Sequence, residues 1–411
     1  EGEDEFRIAH KRPEKVEATL QNVYDNDYML DEMRKAGWPA RWRPSNAAGE
    51  VIEDGSPWVT EDLGKTYRIE NPSKETSWLS YQHILPTFKH WEMIERGTLK
   101  ESDIPPPQLI TDFYAYNTGV SQPPAPLVGA DVQCLGLHWV GDLAVVFDLE
   151  VESDTGTVST VLIEGGRKFE SRIDIGNGTV ELSIDGVDDF TPKATVPING
   201  PGEYEIRFAN INDELFLWID GNPVEFDSPT TYGPLDNLEP MPEDLVPVRI
   251  GASGAKVSVS HIRIHRDVYY IATREPLEVF AQRYVAVLAD YPDSSPIYRS
   301  LSEAGLSKIM SDPRYWAIFD NLNEIELEIL PEHYLALGDN SPGSMDSRLW
   351  GSPNVNARQP DDHLVHQSLL IGKALFVYWP HTWEFPWSFE IPGTGIRVPF
   401  YPNFSKFRRI R

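Results

Sequence analysis

Three things are scarce in this chain, and each scarcity removes a class of answer. There is a single cysteine, Cys134, so no intrachain disulfide can form and no cysteine metal site can be assembled. Basic residues are outnumbered, 36 Lys and Arg against 64 Asp and Glu, for a formal charge of -28. Phosphate backbones bind basic surfaces, so this balance argues against nucleic acid as a main partner. The acidity itself chiefly confers solubility. Long apolar runs are also missing. The best of them, around Val132–Val140 and Leu369–Trp379, fall short of the roughly 20 apolar residues that a spanning helix needs.

A start signal is wanting too. The chain opens on Glu1 rather than Met, and no signal-peptide pattern follows. It is therefore expected to begin partway into a longer protein or to have been cut from one. The 411 residues present are enough for two or three domains.

Pro13 suits a first helical position, and a helix is expected from Pro13 to about Asn22. The stretch "YDNDYMLDE" then reads as a turn into a second short helix. Its Asp25, Asn26 and Asp27 lack the spacing of a calcium loop, so capping and turn chemistry is their expected role. From Trp38 to about Ala272 the pattern changes to short alternating segments such as "DLAVVFDLEVE", "TVELSIDG" and "GEYEIRFANI". Alternation marks half-buried strands. Turn signals such as Asp185-Gly186 and Asp220-Gly221 separate them. Ten or more such strands predict a mainly β fold built on an antiparallel sandwich. A long excursion between Pro86 and Pro126 carries a short helix and a proline run.

From Arg274 apolar residues recur at three and four, which predicts helices; strands then return in "EIELEIL", "YLALGDN" and "LLIGKALFVYW". The expected division is an N-terminal segment over 1–37, a β-sandwich over 38–273, and a helical connector with a further β-rich part over 274–411. The tail gathers Trp379, Trp383, Phe385, Trp387 and Phe389 before Lys406, Arg408, Arg409 and Arg411. Rings beside basic groups suit either a membrane interface or packing over the core. The histidines include no His-Glu-x-x-His. His83, His90, His261 and His265 are expected as surface or satisfied groups rather than zinc ligands, and no metal or cofactor is implied.

One stretch carries more chemistry than a turn needs: "GDNSPGSMDSRLWG", from Gly338 to Gly351. If it is extended, Ser344, Asp346 and Arg348 project from one face. Gly-Asp-Asn, then Ser-x-Asp-Ser-Arg, Trp-Gly and a later Gly-Lys-Ala strand strongly resemble the last conserved box of bacterial signal peptidase I, with Ser341 as a departure. "LITDFYAYNTG", "ELFLWIDG" and "VYYIA" extend the resemblance to an expanded type with a concanavalin- or laminin-G-like insertion.

That resemblance implies a membrane-bound serine endopeptidase with a serine–lysine dyad. It would cut exported preproteins after small-x-small sequences, on the extracytoplasmic side of the bacterial plasma membrane. Ser344 would orient the catalytic lysine, Asp346 and Arg348 would form an ion pair under the site, and Gly338, Asp339 and Asn340 would shape the turn. Its partners would be preprotein signal peptides and a membrane reached through a missing N-terminal span. The dyad itself is not identified. No Ser-Met-x-Pro stretch is present, and Lys11 and Lys15 are expected on a solvated helix, where a lysine stays charged. A second reading comes from another class: a non-catalytic binding or scaffold protein whose sandwich takes carbohydrate or protein.

Overall fold

The computed structural model describes residues 10–52, 54–112, 138–235, 239–268, 270, 303–319, 328–338, 346–350, 363–372, 376–377, 383–390, 397–400 and 408–409. In chain order the sandwich region holds helix α1 (Pro13–Thr19), strand β1 (Gln21–Asp25), helix α2 (Asp31–Lys35) and strands β2 (Trp42–Ser45), β3 (Trp58–Glu61), β4 (Thr66–Ile69) and β5 (Ser77–Tyr81). Helix α3 (Phe88–Glu95) is the short helix expected in the excursion. Then come β6 (Leu143–Val151), β7 (Thr157–Glu164), β8 (Arg167–Asp174), β9 (Thr179–Ile184), β10 (Lys193–Thr195), β11 (Gly202–Asn210), β12 (Leu215–Ile219), β13 (Asn222–Pro223), β14 (Val248–Ser253) and β15 (Val257–Arg266).

These strands form two antiparallel sheets. The first is eight-stranded, in the order β13-β12-β11-β6-β15-β4-β3, with β1 also paired to β15; the second is seven-stranded, in the order β10-β9-β8-β7-β14-β5-β2. The fold is thus the mainly β antiparallel sandwich that the alternation predicts. The physical cause is visible in β6. Leu143, Val145, Phe147, Leu149 and Val151 point into one continuous apolar core, where they meet Leu162, Phe169 and Ile250 of the other sheet. Ala144, Val146, Asp148 and Glu150 therefore face away from it.

Two of the crossings between sheets, β6 to β7 and β14 to β15, meet at one end. Gly156, between β6 and β7, has φ +121, and a Cβ there would lie 2.7 Å from the Ser253 carbonyl oxygen at the end of β14. Only glycine lets the two connections nest this closely.

The first helix is shorter than expected. It stops at Thr19 because Leu20 turns extended, with ψ 130. Gln21–Asp25 then joins the ladder of β15, with Gln21 opposite Arg266 and Asp25 opposite Arg263. Burial of Val23 and Tyr24 in the core outweighs continued helix.

A second compact unit takes in residues 326–337 and 345–411. Its described strands form three two-stranded pairs. β16 (His333–Tyr334) pairs with β17 (Val365–His366). β18 (Phe376–Val377) pairs with β21 (Arg408–Arg409), and β19 (Trp383–Glu390) with β20 (Arg397–Phe400). Helix α4 (Glu303–Ser311), in the first unit, falls where helical spacing was expected. Among the described residues, no helix is long and apolar enough to cross a membrane.

Phe147 is fully buried on the central strand β6. Phe147→Ala should cost about 3–5 kcal/mol, lowering the urea midpoint without changing the slope. A loss below about 1 kcal/mol would mean that this core is not packed as described.

Candidate functional site

The outward face of the first sheet carries rows of polar side chains. Cross-strand register sets them in rows. Glu205 of β11 lies opposite Asp148 of β6, and Asp148 lies opposite Ser260 of β15; Glu203, Glu150 and Ser258 make the next row. Their neighbours Leu149 and Val259 are in the core, so both rows face out. Together they line an open groove of about 430 Å³.

The ends of the groove are fixed by two left-handed residues. Asp220, at φ 52 in the β12–β13 turn, accepts from the Glu205 backbone N–H at 2.8 Å. His261, at φ 51, sits where the register of β15 slips between Ser260 and Arg263. Such a bulge re-aims a side chain. Its Nδ1 meets Asp27 Oδ2 at 2.7 Å, and that hydrogen bond raises the imidazole pKa. Beyond Glu205 the face turns cationic. Arg263 Nη2 is 3.3 Å and Arg207 Nη2 3.8 Å from its carboxylate. His265, beside both arginines, is driven to about 4, first by loss of solvent and then by their charge, so it is neutral near pH 7.

The far corner of the same face is covered by α1. Val16 and Leu20 pack on Phe216, Trp218, Ala144 and Ala209, while Glu17 pairs with Arg207. The ends of this strap are held at Asp267, directly after β15. Lys11 pairs with Asp267, and the Thr19 hydroxyl donates to its Oδ1 at 2.8 Å. Lys11 thus lies ahead of the helix against a buried carboxylate, not on a solvated helical face as expected; Lys15 is exposed.

More carboxylates crowd this end of the sandwich. Loss of solvent, and then the charge of Asp267, raises Asp142 to about 7. Glu164 is pushed well above its usual value, first by loss of solvent and then by Asp142, although Asn210 Nδ2 donates to it at 2.7 Å. Asp244, buried, is raised to about 7 by loss of solvent even though it accepts from the Gly166 and Met241 backbone N–H groups.

The residues singled out in the sequence are placed differently. Asp339, Asn340 and Ser344 lie outside the described residues. Gly338 is described, but its turn partners are not. Asp346 and Arg348 form a bidentate pair, Nε to Oδ1 at 2.8 Å and Nη2 to Oδ2 at 2.7 Å, with both side chains buried. The pair does not come from a strand. Ser347–Trp350 is a helical turn, α5, and Asp346 Oδ1 accepts from the Arg348 N–H at 3.3 Å, as an N-capping carboxylate does. Arg348 therefore sits on a helical turn rather than on an extended strand with Asp346, while Ser344 lies outside the described residues.

The histidines are mostly structural. His90 caps α3 by accepting from the Thr87 N–H at 2.9 Å, while its Nε2 is 2.9 Å from the Asp103 carbonyl. His83 is buried against the Tyr81 hydroxyl at 2.7 Å, and burial drives it down to about 3. Asp25 caps the following turn through the Asp27 N–H at 3.0 Å, the role expected of that acidic stretch. Among the described residues, no group of three or more His, Cys, Asp or Glu side chains is arranged to hold a metal ion.

No family model and no curated protein matches the chain. Solved structures similar to it are named as carbohydrate-binding modules, galectins and a galectin-like fold. The carbohydrate-binding module CBM66 from Bacillus subtilis has a TM-score of 0.29 and 10% identity, over 55% of this chain and 95% of that one. A Bacillus subtilis protein of unknown function with a galectin-like fold has a TM-score of 0.33 and 9% identity, over 60% and 98%. A galectin of Caenorhabditis elegans has a TM-score of 0.22 and 13% identity, over 34% and 91%. At these scores the likeness carries no argument about what this chain binds.

These comparisons correct the signal peptidase resemblance. The neighbours are galectin-like sandwiches and carbohydrate-binding modules rather than peptidases, and neither a family model nor a curated relative supports that family. The serine endopeptidase activity goes with it, as do the preprotein and membrane partners inferred from it.

The raised carboxyls fix the sign of a pH dependence. A carboxyl whose folded pKa exceeds its unfolded one binds its proton more tightly when folded. That stability is complete below about 4, the unfolded carboxyl range, and is lost as pH rises towards 7. Melting temperature should therefore fall across this window, and Asp142→Asn should flatten the fall. An Asp142→Asn profile parallel to that of the unaltered protein would show that Asp142 is not titrating there.

Proposed function

We propose that the chain is a non-catalytic binding protein whose sandwich takes a carbohydrate in the groove on the outward face of its first sheet. The observation that supports this reading is the groove itself, where Asp148, Glu205, Asp220, Ser258, Ser260 and His261 converge on an open space of about 430 Å³. That volume is within the range of small-molecule sites. Carboxylates accept short, strong hydrogen bonds from hydroxyl groups, and serine hydroxyls both donate and accept. A sugar presents many hydroxyls along one edge, so rows of carboxylates and serines on adjacent strands match it in spacing and in chemistry.

A protein partner fits the groove less well. Protein interfaces take most of their energy from buried aromatic and arginine anchors in dry pockets. Here the rows are acidic, the one aromatic in the lining, Tyr204, packs against the core, and Phe216 and Trp218 on the same face are covered by α1. The glycan class best matched carries amino groups as well as hydroxyls, since five of the lining residues are acidic.

Titration calorimetry with a panel of neutral, acidic and amino-bearing oligosaccharides tests the reading. Binding is expected for at least one, strongest with the amino-bearing sugars. Glu205→Gln and Asp148→Asn should each weaken it by about 1.5–3 kcal/mol while leaving the melting temperature within a few degrees. Equal binding by both variants would place the ligand elsewhere, and no binding across the panel would sink the carbohydrate reading.

A further inference from the structure

Asp267 stands at the end of β15, fully buried, and three groups converge on it. Lys11 Nζ contacts Oδ2. The Thr19 hydroxyl donates to Oδ1 at 2.8 Å. The Asp267 backbone N–H donates to the Asp142 carbonyl at 3.0 Å, and the Asp142 carboxyl is close enough to feel the charge of both Asp267 and Lys11. Lys11 and Thr19 flank the two ends of α1, so the whole strap closes on one carboxyl group.

A plain clamp needs only the ion pair. This arrangement adds further parts of an acyl transfer: an amine in contact with one carboxyl oxygen, a hydroxyl donor on the other, and Asp142 held next to Asp267 by the backbone hydrogen bond. We infer that Lys11 and Asp267 condense into an intramolecular isopeptide bond, a covalent self-modification that fastens α1 to the sandwich.

The balance is simple. Within the contact pair one Nζ proton passes to Oδ2, leaving an amine lone pair against a carboxylic acid. The Lys11 Nζ lone pair attacks Asp267 Cγ. The C–N bond forms as the carbonyl π pair moves onto Oδ1, where the Thr19 hydroxyl stabilises the developing negative charge. Asp142 takes a second proton from Nζ and returns it to Oδ2. The Cγ–Oδ2 bond then breaks and Oδ2 leaves as water. An ammonium and a carboxylate become one secondary amide and one water; nothing is oxidised or reduced, and Asp142 is regenerated. Burial keeps Asp142 able to carry a proton near neutral pH. Contact in a fixed fold supplies the proximity that free amines and acids lack. The Lys11 side chain is 24% exposed against 1% for Asp267, so the departing water has a way out on the lysine side.

The amide would close a loop between residues 256 apart in sequence, holding the strap over Phe216 and Trp218 even when the sheets breathe.

The intact mass of the purified full chain, measured after denaturation, tests this directly. The folded protein should be lighter than its sequence by one water, and digestion should yield a branched peptide joining the segments of Lys11 and Asp267. Lys11→Arg keeps the cation but cannot condense, and should show the full sequence mass. Asp142→Asn should fold with the strap in place yet form the bond slowly or not at all, an effect that a merely structural Asp142 would not produce. A wild-type chain at its full sequence mass after prolonged incubation in the folded state would overturn the inference, and so would a water loss mapped to any other site.

Discussion

Everything in the sandwich follows from one continuous apolar layer shared by two sheets. Strands of both sheets send every second side chain into it, from Val145 and Phe147 on one side to Leu162, Phe169 and Ile250 on the other. Because the side-chain period of a strand is two, filling that layer commits the alternate residues to the outer faces. The groove is therefore a by-product of core packing. Asp148 and Glu150 face out because Leu149 faces in, and pairing of β6 with β11 and β15 then stacks their carboxylates beside Glu205, Glu203, Ser260 and Ser258.

The same face shows how the protein handles what core packing leaves over. Its apolar corner, with Phe216 and Trp218, would be an exposed hydrophobic patch without α1. Seven helical residues gain little from propensity alone, so the strap depends on tertiary contacts. Val16 provides the apolar one, Glu17 pairs with Arg207, and Lys11 and Thr19 fix both ends at Asp267. Two cations of an acidic chain, Lys11 and Arg207, thus hold the strap. Loss of solvent, added to at Asp142 by the charge of Asp267, is why Asp142 and Asp244 hold their protons to about 7.

The box from Gly338 to Gly351 teaches a narrower lesson. Residue types at matching spacing suggested a shared strand face, but the spacing of Asp346 and Arg348 is equally served by a helix start. There the carboxylate caps the Arg348 N–H and grips its guanidinium at once. A local polar pair of this kind has a structural use of its own, so its presence says nothing about a nucleophile. Short motifs define local geometry; a function needs groups brought together from distant parts of the chain.

By itself the sequence determined the sandwich class, the strand-rich span and the outward placement of the alternating acids in "FDLEVE" and "GEYEIRF", because period-two burial is written residue by residue. It also determined the capping role of Asp25 and the start of α1 at Pro13, both set within a few residues. Only the tertiary structure decided which acids share a groove, where β15 slips to re-aim His261, and that Lys11 meets Asp267. Those contacts join residues up to 256 apart, and strand pairing order, which no local pattern encodes, is what brings them within reach.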